Sequence, residues 1–143
     1  GAVIAKELFL KGYLVKLWCS FPLKKLWLCH PDIEKIAFWR NLDETVRLVN
    51  STTLENLKEG PERRIANLRE IGADAFNMHF SEWNEGLVSL CHRFQIRSFA
   101  WDVQEDRQLG WLFSIGIDGV FSDHVTKMTT SWEEYKNRRP KAS

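Results

Sequence analysis

The sequence predicts a parallel α/β fold, and three observations carry that prediction. Short apolar runs alternate with amphipathic ones, each pair taking roughly 20–25 residues, a pattern that means parallel strands joined by helices. The stretch 96–124 holds one such unit complete: the apolar and aromatic run Ile96-Arg97-Ser98-Phe99-Ala100-Trp101-Asp102, a helical run, then Gly119-Val120-Phe121-Ser122. A strand–helix–strand link of this kind normally makes a right-handed parallel crossover. Finally, two helical runs close on Gly72 and Gly116, which accept the left-handed backbone that ends a helix.

Taken in order, residues 2–10 read as a helix, with Val3, Leu8 and Leu10 apolar and Gly12 as its stop, and 14–21 as a strand closed by Pro22. Residues 26–29 read as another strand. The two strand candidates echo each other, Leu17-Trp18-Cys19-Ser20-Phe21-Pro22 against Leu26-Trp27-Leu28-Cys29-His30-Pro31. Their offset is too short for a strand–helix repeat, so the second copy, which a clean helix follows, is read as the scaffold strand. That helix has Pro31 in its first turn and Asp32 and Glu34 near the positive end of its dipole. Ile33, Ile36 and Ala37 form its apolar face, with Trp39 beside them.

A strand over 46–49 and a short helix over 53–59, broken at Gly60-Pro61, come next. The helix 62–71 lines Ile65, Leu68 and Ile71 along one face, and a strand follows over 75–79. Asn84 caps a helix carrying Leu87, Val88, Leu90 and Cys91. In the helix 104–115, Leu109, Leu112 and Phe113 stack behind Glu105 and Asp106. A short helix over 131–135 and a frayed polar tail over 136–143 end the chain. Five such strands suit either a doubly wound open sheet or part of a (β/α)8 barrel, which when complete takes about 250 residues. No GxGxxG follows a strand and no GxxxxGK[ST] occurs, so the nucleotide-binding forms of the open sheet lose support.

Composition bounds the partners. With 143 residues, 44% hydrophobic and 27% charged, the chain can bury one core. Seven Trp and nine Phe require a core or an interface to hold them. The net charge of +1 comes from dispersed charges and gives no expectation of nucleic acid. Three cysteines without a CxxC pair predict a reduced setting and no structural zinc. No apolar run reaches the ~18 residues of a membrane span. The expected location is cytoplasmic, although a chain opening on Gly1 rather than Met reads as a piece of a longer protein.

In either α/β architecture the functional groups stand at the carboxyl ends of the strands. Those positions are His30; Asn50, Ser51 and Thr52; Asn77 and His79; Trp101 and Asp102; and Ser122, Asp123 and His124. Acids, imidazoles and hydroxyls of this sort can serve metal binding or acid–base chemistry when they converge. Each also has a plain structural role open to it. His30 and the Asp123-His124 pair can cap turns, His79 can bond a neighbouring loop, and Trp101 can be a core or rim aromatic.

The block Phe99-Ala100-Trp101-Asp102-Val103, a helix, then Ile115-Gly116-Ile117-Asp118-Gly119-Val120-Phe121-Ser122-Asp123 resembles the end of the glycerophosphodiester phosphodiesterase family. There an aromatic-Trp-Thr-Val-Asn-like strand precedes a helix and a Gly-Val-Asp-Gly-Ile-Ile-Thr-Asp-like last strand. Trp101 matches the family tryptophan, while Asp102 stands where threonine is usual and Gln104 near the usual asparagine. Leu28-Cys29-His30-Pro31-Asp32 resembles the family's Ser-Ser-Phe-x-Pro strand end, with His30 at the aromatic position. The resemblance implies parallel (β/α) units of a TIM-type barrel, incomplete, with about five of eight units present. It divides the chain into an N-terminal segment 1–25, five βα units over 26–129 and a polar tail over 130–143.

The resemblance also implies metal-dependent hydrolysis of glycerophosphodiesters to an alcohol and glycerol phosphate. A His-Arg-Gly motif, a Glu-x-Asp motif with a histidine beyond it, and a further glutamate carry that chemistry with calcium or magnesium. His-Arg-Gly does not occur here, and no Glu-x-Asp stands at a strand end. The expectation is therefore a substrate-facing wall without catalytic residues, in which Trp101, His30, Asn50 and His79 bind the diester. The divalent cation would belong to the full-length enzyme, and the chain alone would be inactive. Two other readings stand beside it. One is a non-catalytic half-barrel that forms a homodimer through its open edges. The other is a self-sufficient metal hydrolase built on His30, His79, Asp123 and His124.

Overall fold

The structure, a computed structural model, describes residues 26–122 and 125–138, without the side chains of 125–129, 131 and 132. The expected helix 2–10 and strand 14–21, along with Asp123, His124 and residues 139–143, lie outside the described residues. Strands β1 (Trp27–His30), β2 (Arg47–Ser51), β3 (Ala75–His79), β4 (Arg97–Trp101) and β5 (Gly119–Val120) alternate with helices. These are α1 (Ile33–Leu42), α2 (Pro61–Ile71), α3 (Glu85–Arg93), α4 (Asp106–Ser114) and α5 (Val125–Arg138).

All four strand pairings are parallel, and the strands lie side by side in sequence order. A doubly wound sheet reverses direction at a switch point. This one does not: every crossover adds its strand on the same side. With a constant right-handed crossover the helices gather on one face and leave the other as a concave interior. The sheet is therefore wound as a barrel wall is wound.

Side-chain alternation divides the strands accordingly. Leu28, Leu48, Phe76, Met78 and Ala100 point to the helix side, into a core shared with Ile36, Ile65, Leu68, Val88, Leu109 and Leu112. The alternate positions face inward. Trp27 on β1 and Phe99 on β4 stand with ring centroids 5.4 Å apart although two strands separate them. A flat sheet would hold those strands about 14 Å apart. Curvature brings the rings together over Val49 and Ala75, both completely buried. Phe99 also packs on Phe121 at 5.9 Å, and a Cβ on Gly119 would stand 3.0 Å from the Phe99 ring. A side chain at 119 would therefore crowd the Phe99 ring on the inner face.

Three helix-to-strand joints repeat one device. A left-handed residue ends the helix: Gly72 (φ 82°), Gln95 (φ 58°) and Gly116 (φ 94°). The next residue donates back into the helix: Ala73 to the carbonyl of Leu68, Ile96 to that of Cys91, and Ile117 to that of Leu112. The one after that opens the ladder with the preceding strand: Asp74 on Leu48, Arg97 on Asp74, and Asp118 on Ser98. Asp74 and Asp118 add a carboxylate that accepts the Leu48 and Ser98 N–H groups at 2.9 and 2.7 Å. Arg40 and Arg47 pair with Asp74, and His92 with Asp118, at this amino-terminal end of the sheet. Acid and base clusters here serve the scaffold.

Three expectations need correcting. The helix over 131–135 is part of a longer one, α5, which runs unbroken across position 130, where the polar tail was expected to begin. Thr129-Thr130-Ser131 is a poor helix former, and packing overrides that weak preference. The Tyr135 and Phe113 rings lie 5.5 Å apart, and the Tyr135 hydroxyl donates to the Phe113 carbonyl at 3.4 Å. The helix over 53–59 contracts to a single 3-10 turn, Leu54–Asn56. The last strand stops at Val120. No helix among the described residues is long and apolar enough to cross a membrane.

Candidate functional site

At the carboxyl ends of the strands the sheet opens into a cavity of about 700 Å³, walled by residues at or just past the ends of all five strands. His30 comes from β1, Ser51 from β2 with Thr52 just past it, Asn77 from β3, Trp101 from β4 with Asp102 just past it, and Phe121 and Ser122 follow β5.

Trp101 is 38% exposed at the rim, unusual for so large an apolar side chain. Its ring meets the His79 ring edge-on, at 4.7 Å and 82°. The Ser81 N–H donates to His79 Nδ1 at 3.3 Å, which leaves the ring proton on Nε2. That nitrogen donates to Asp102 Oδ2 at 3.0 Å, and Gln104 Nε2 donates to Asp102 Oδ1 at 3.2 Å. The His79 bond first, and Gln104 second, hold the Asp102 carboxyl below the usual carboxylate range. Asp102 has a left-handed backbone (φ 64°), which asparagine and aspartate tolerate better than other side chains. Ser81 Oγ also lies 2.8 Å from His79 Nδ1, so hydroxyl, imidazole and carboxylate stand in the order of a nucleophilic triad. Only Asp102 of the three lines the cavity, however. The arrangement fixes a carboxylate at the rim; it does not present a nucleophile.

His30 shares the parity of Leu28 and so leans toward α1, where its ring meets Trp39 edge-on at 5.4 Å. Its Nδ1 accepts the Asp32 N–H at 2.9 Å, which places the proton of the neutral ring on Nε2. Asp32 caps α1 through the Glu34 N–H. His30 thus holds the turn and lines the cavity as well.

Asn50 departs from the expectation that it lines the mouth. It shares the parity of Leu48, points to the helix side and is completely buried. Its Nδ2 donates to the carbonyls of His30 and Pro31, both at 3.0 Å, and its Oδ1 accepts from Arg64 Nη1 at 3.1 Å. Every strong valence of that amide goes to the scaffold beneath the site.

The inward position one strand over belongs to Asn77, which lines the cavity while only 5% exposed. Its Nδ2 donates to Ser51 Oγ at 2.9 Å. Its Oδ1 is buried and has no partner among the described residues. A buried carbonyl left so costs about 1–3 kcal/mol. Asn77 and Asp102 stand at the predicted strand ends but outside the expected binding set, and Gln104 and Phe121 lie past the strands; period-two alternation is the signal that separates Asn77 from Asn50.

Among the described residues lining the cavity there is no lysine or arginine. No group of three or more His, Cys, Asp and Glu among the described residues could hold a metal ion, so these residues do not fit a metal centre. Asp123 and His124 lie outside them. Cys91, buried on α3, has its thiol pushed up to about 12, by desolvation first and by Asp118 second. It is not a nucleophile.

Comparison with known proteins follows the same geometry. No curated protein matches the chain. Solved structures do share its fold. An Agrobacterium tumefaciens protein assigned as a glycerophosphoryl diester phosphodiesterase superposes with a TM-score of 0.77 at 13% identity, over 93% of this chain and 54% of that one. A Silicibacter pomeroyi protein with the same assignment gives 0.74 at 13% identity, over 88% and 44%. An Oleispira antarctica phosphodiesterase, solved with the product sn-glycerol-3-phosphate, gives 0.64 at 16%, over 76% and 42%. The chain spans about half the length of these proteins. Their likeness establishes the fold, a portion of a TIM-type barrel. The sequence itself matches the glycerophosphoryl diester phosphodiesterase family over residues 22–127, most of its length, and the chain belongs to that family.

Proposed function

We propose that this chain forms the alcohol-binding wall of a glycerophosphodiester phosphodiesterase and does not hydrolyse a diester by itself. The observation that carries the reading is the cavity at the carboxyl ends of all five strands, with Trp101 exposed at its rim and no lysine or arginine among its described lining residues. Such a wall suits the neutral or cationic part of a diester better than its phosphate. Trp101 offers an apolar plane to the carbon face of the substrate, and His30 lines the same wall. His79 acts through Asp102, holding an ionised carboxylate at the rim.

Hydrolysis needs groups that these residues do not supply. The family's divalent cation would neutralise phosphate and polarise the diester, and its His-Arg-Gly motif is absent from this sequence. The reading is tested with glycerophosphocholine and the purified chain in calcium or magnesium, against a chelated control. The expected result is saturable binding, followed by tryptophan fluorescence, with no chelator-sensitive turnover. Turnover abolished by chelation would refute the claim of inactivity and send attention to His30, His79 and Asp123.

A second reading, a half-barrel dimerisation module, is favoured by the strand order. Among the described residues β1 and β5 each have a neighbour on one side only. Open edges invite pairing with another chain.

A further inference from the structure

Trp101 and Asp102 are consecutive in the chain, yet both line the cavity. On a regular strand their side chains would point to opposite faces. The left-handed backbone at Asp102 (φ 64°) breaks that alternation just past the end of β4 and leaves the two on one wall. The Asp102 side chain is 48% exposed and Trp101 38%, so both keep surface that a ligand can reach. Asp102 is the only carboxylate among the described lining residues. It accepts from His79 and Gln104, which hold it in the ionised form. A carboxylate has room for about four hydrogen bonds, so these two do not saturate it. No lysine or arginine among the described residues pairs with it. A negative charge beside an aromatic side chain is thus left facing an open cavity.

We propose, on the footing of the function given above, that Trp101 and Asp102 form a subsite for a cationic alkylammonium group carried by the alcohol part of the diester. An aromatic ring attracts a weakly hydrated ammonium through its quadrupole. The neighbouring carboxylate adds charge attraction, which solvent and salt weaken at an exposed rim. Phe121, half-buried in the same lining, supplies apolar surface for the carbons around the nitrogen. The phosphate of the diester meets no lysine or arginine among the described lining residues. The wall therefore selects the cation at the far end of the ligand, and Trp101 and Asp102 are its specificity residues.

The test compares glycerophosphocholine with the 3,3-dimethylbutyl diester of glycerol phosphate, in which a neutral tert-butyl group replaces the trimethylammonium. The two ligands differ in charge and hardly in shape. Binding to the purified chain is measured by calorimetry at low salt. The chain is expected to bind glycerophosphocholine about tenfold more tightly, a difference of about 1.4 kcal/mol. That preference should shrink as salt is raised, because the attraction to Asp102 is screened. Asp102→Asn keeps the side-chain shape and tolerates the left-handed backbone. It is expected to cut the preference to about threefold, the share left to Trp101, with the affinity for the neutral ligand unchanged. Trp101→Leu is expected to weaken both ligands, glycerophosphocholine the more. Equal affinity of the unaltered chain for the two ligands overturns the subsite and leaves the alcohol-binding wall standing. So does either variant, if it folds and keeps the full preference. Binding of neither ligand by the unaltered chain overturns both the subsite and the wall. The first comparison needs no variant, so a substitution that fails to fold does not shield the subsite from refutation.

Discussion

At the residue scale, two asparagines at neighbouring strand ends have opposite fates. Asn50 gives all its hydrogen bonds to His30, Pro31 and Arg64. Asn50→Ala would leave two carbonyls without that donor, and is expected to lower stability by about 1–3 kcal/mol. Urea unfolding measures this, and an unchanged midpoint would show the network to be dispensable. The strand-end rule found both residues, but parity decided between them. Asn50 follows Leu48 outward and Asn77 follows Ala75 inward, which the sequence displays only once the buried face of each strand is known. The placement of His79 and Trp101 at strand ends is legible for the same reason that Asn50 misleads: position along a strand is written in the sequence, whereas the partner of a buried amide is not. Asp43 supplies a pH prediction at this scale. Its carboxylate accepts from the Thr45 hydroxyl and from the Thr45 and Val46 N–H groups. The Thr45 hydroxyl first, then the backbone donors, hold its carboxyl below the ordinary value. Such a group contributes stability that is fully present above the ordinary aspartate value, near pH 4, and is lost as pH falls through the lowered one. Asp43→Asn is expected to flatten the fall of the urea midpoint below about pH 4. A variant with the same acid slope as the parent would remove Asp43 from the account.

At the element scale, the recurring helix-to-strand joint is the feature that most directly sets strand position. Two of its three copies use glycine, and the third places Gln95 in the same left-handed backbone. That conformation costs a side chain roughly 1–2 kcal/mol, while glycine carries an entropic penalty of roughly 0.5–1 kcal/mol. Gln95→Gly is therefore expected to stabilise the chain by about 0.5–1 kcal/mol, read as a higher urea midpoint with unchanged slope. A loss of stability would mean that the Gln95 side chain contributes more than its backbone strain removes. The glycines made two of these helix ends readable in advance. The third was not, because no residue type marked it and only the hydrogen bonds from Ile96 and Arg97 reveal it. The helices were read from their apolar spacing, and the buried Ile65, Leu68, Leu109 and Leu112 occupy the faces so assigned. The end of the chain was harder. A run of hydroxyl residues hides a helix whose contact with Phe113 comes from tertiary packing.

At the scale of the whole molecule, sequential strand order and curvature together create a surface with one face toward helices and one toward a concave interior. Trp27, Phe99 and Phe121 line that interior, half-buried, with Arg97 set against the Trp27 ring at 5.7 Å. In a closed barrel such rings are packed from all sides, and the sheet has no edges. Here β1 and β5 are the outermost strands of the described sheet. A second copy of the chain could cover partly buried aromatics and extend the sheet beyond its outermost described strands. A homodimer through these edges is therefore expected, with a thermal midpoint that rises as protein concentration rises, since association stabilises the folded state by mass action. Light scattering across the same concentrations should give a mass moving from one chain toward two. Replacing Trp27 by Ala removes the ring that bridges to Phe99 and is expected to weaken both effects together. A monomeric mass at every concentration, with a constant midpoint, would mean that the open edges are protected within a single chain and that dimerisation plays no part in its stability.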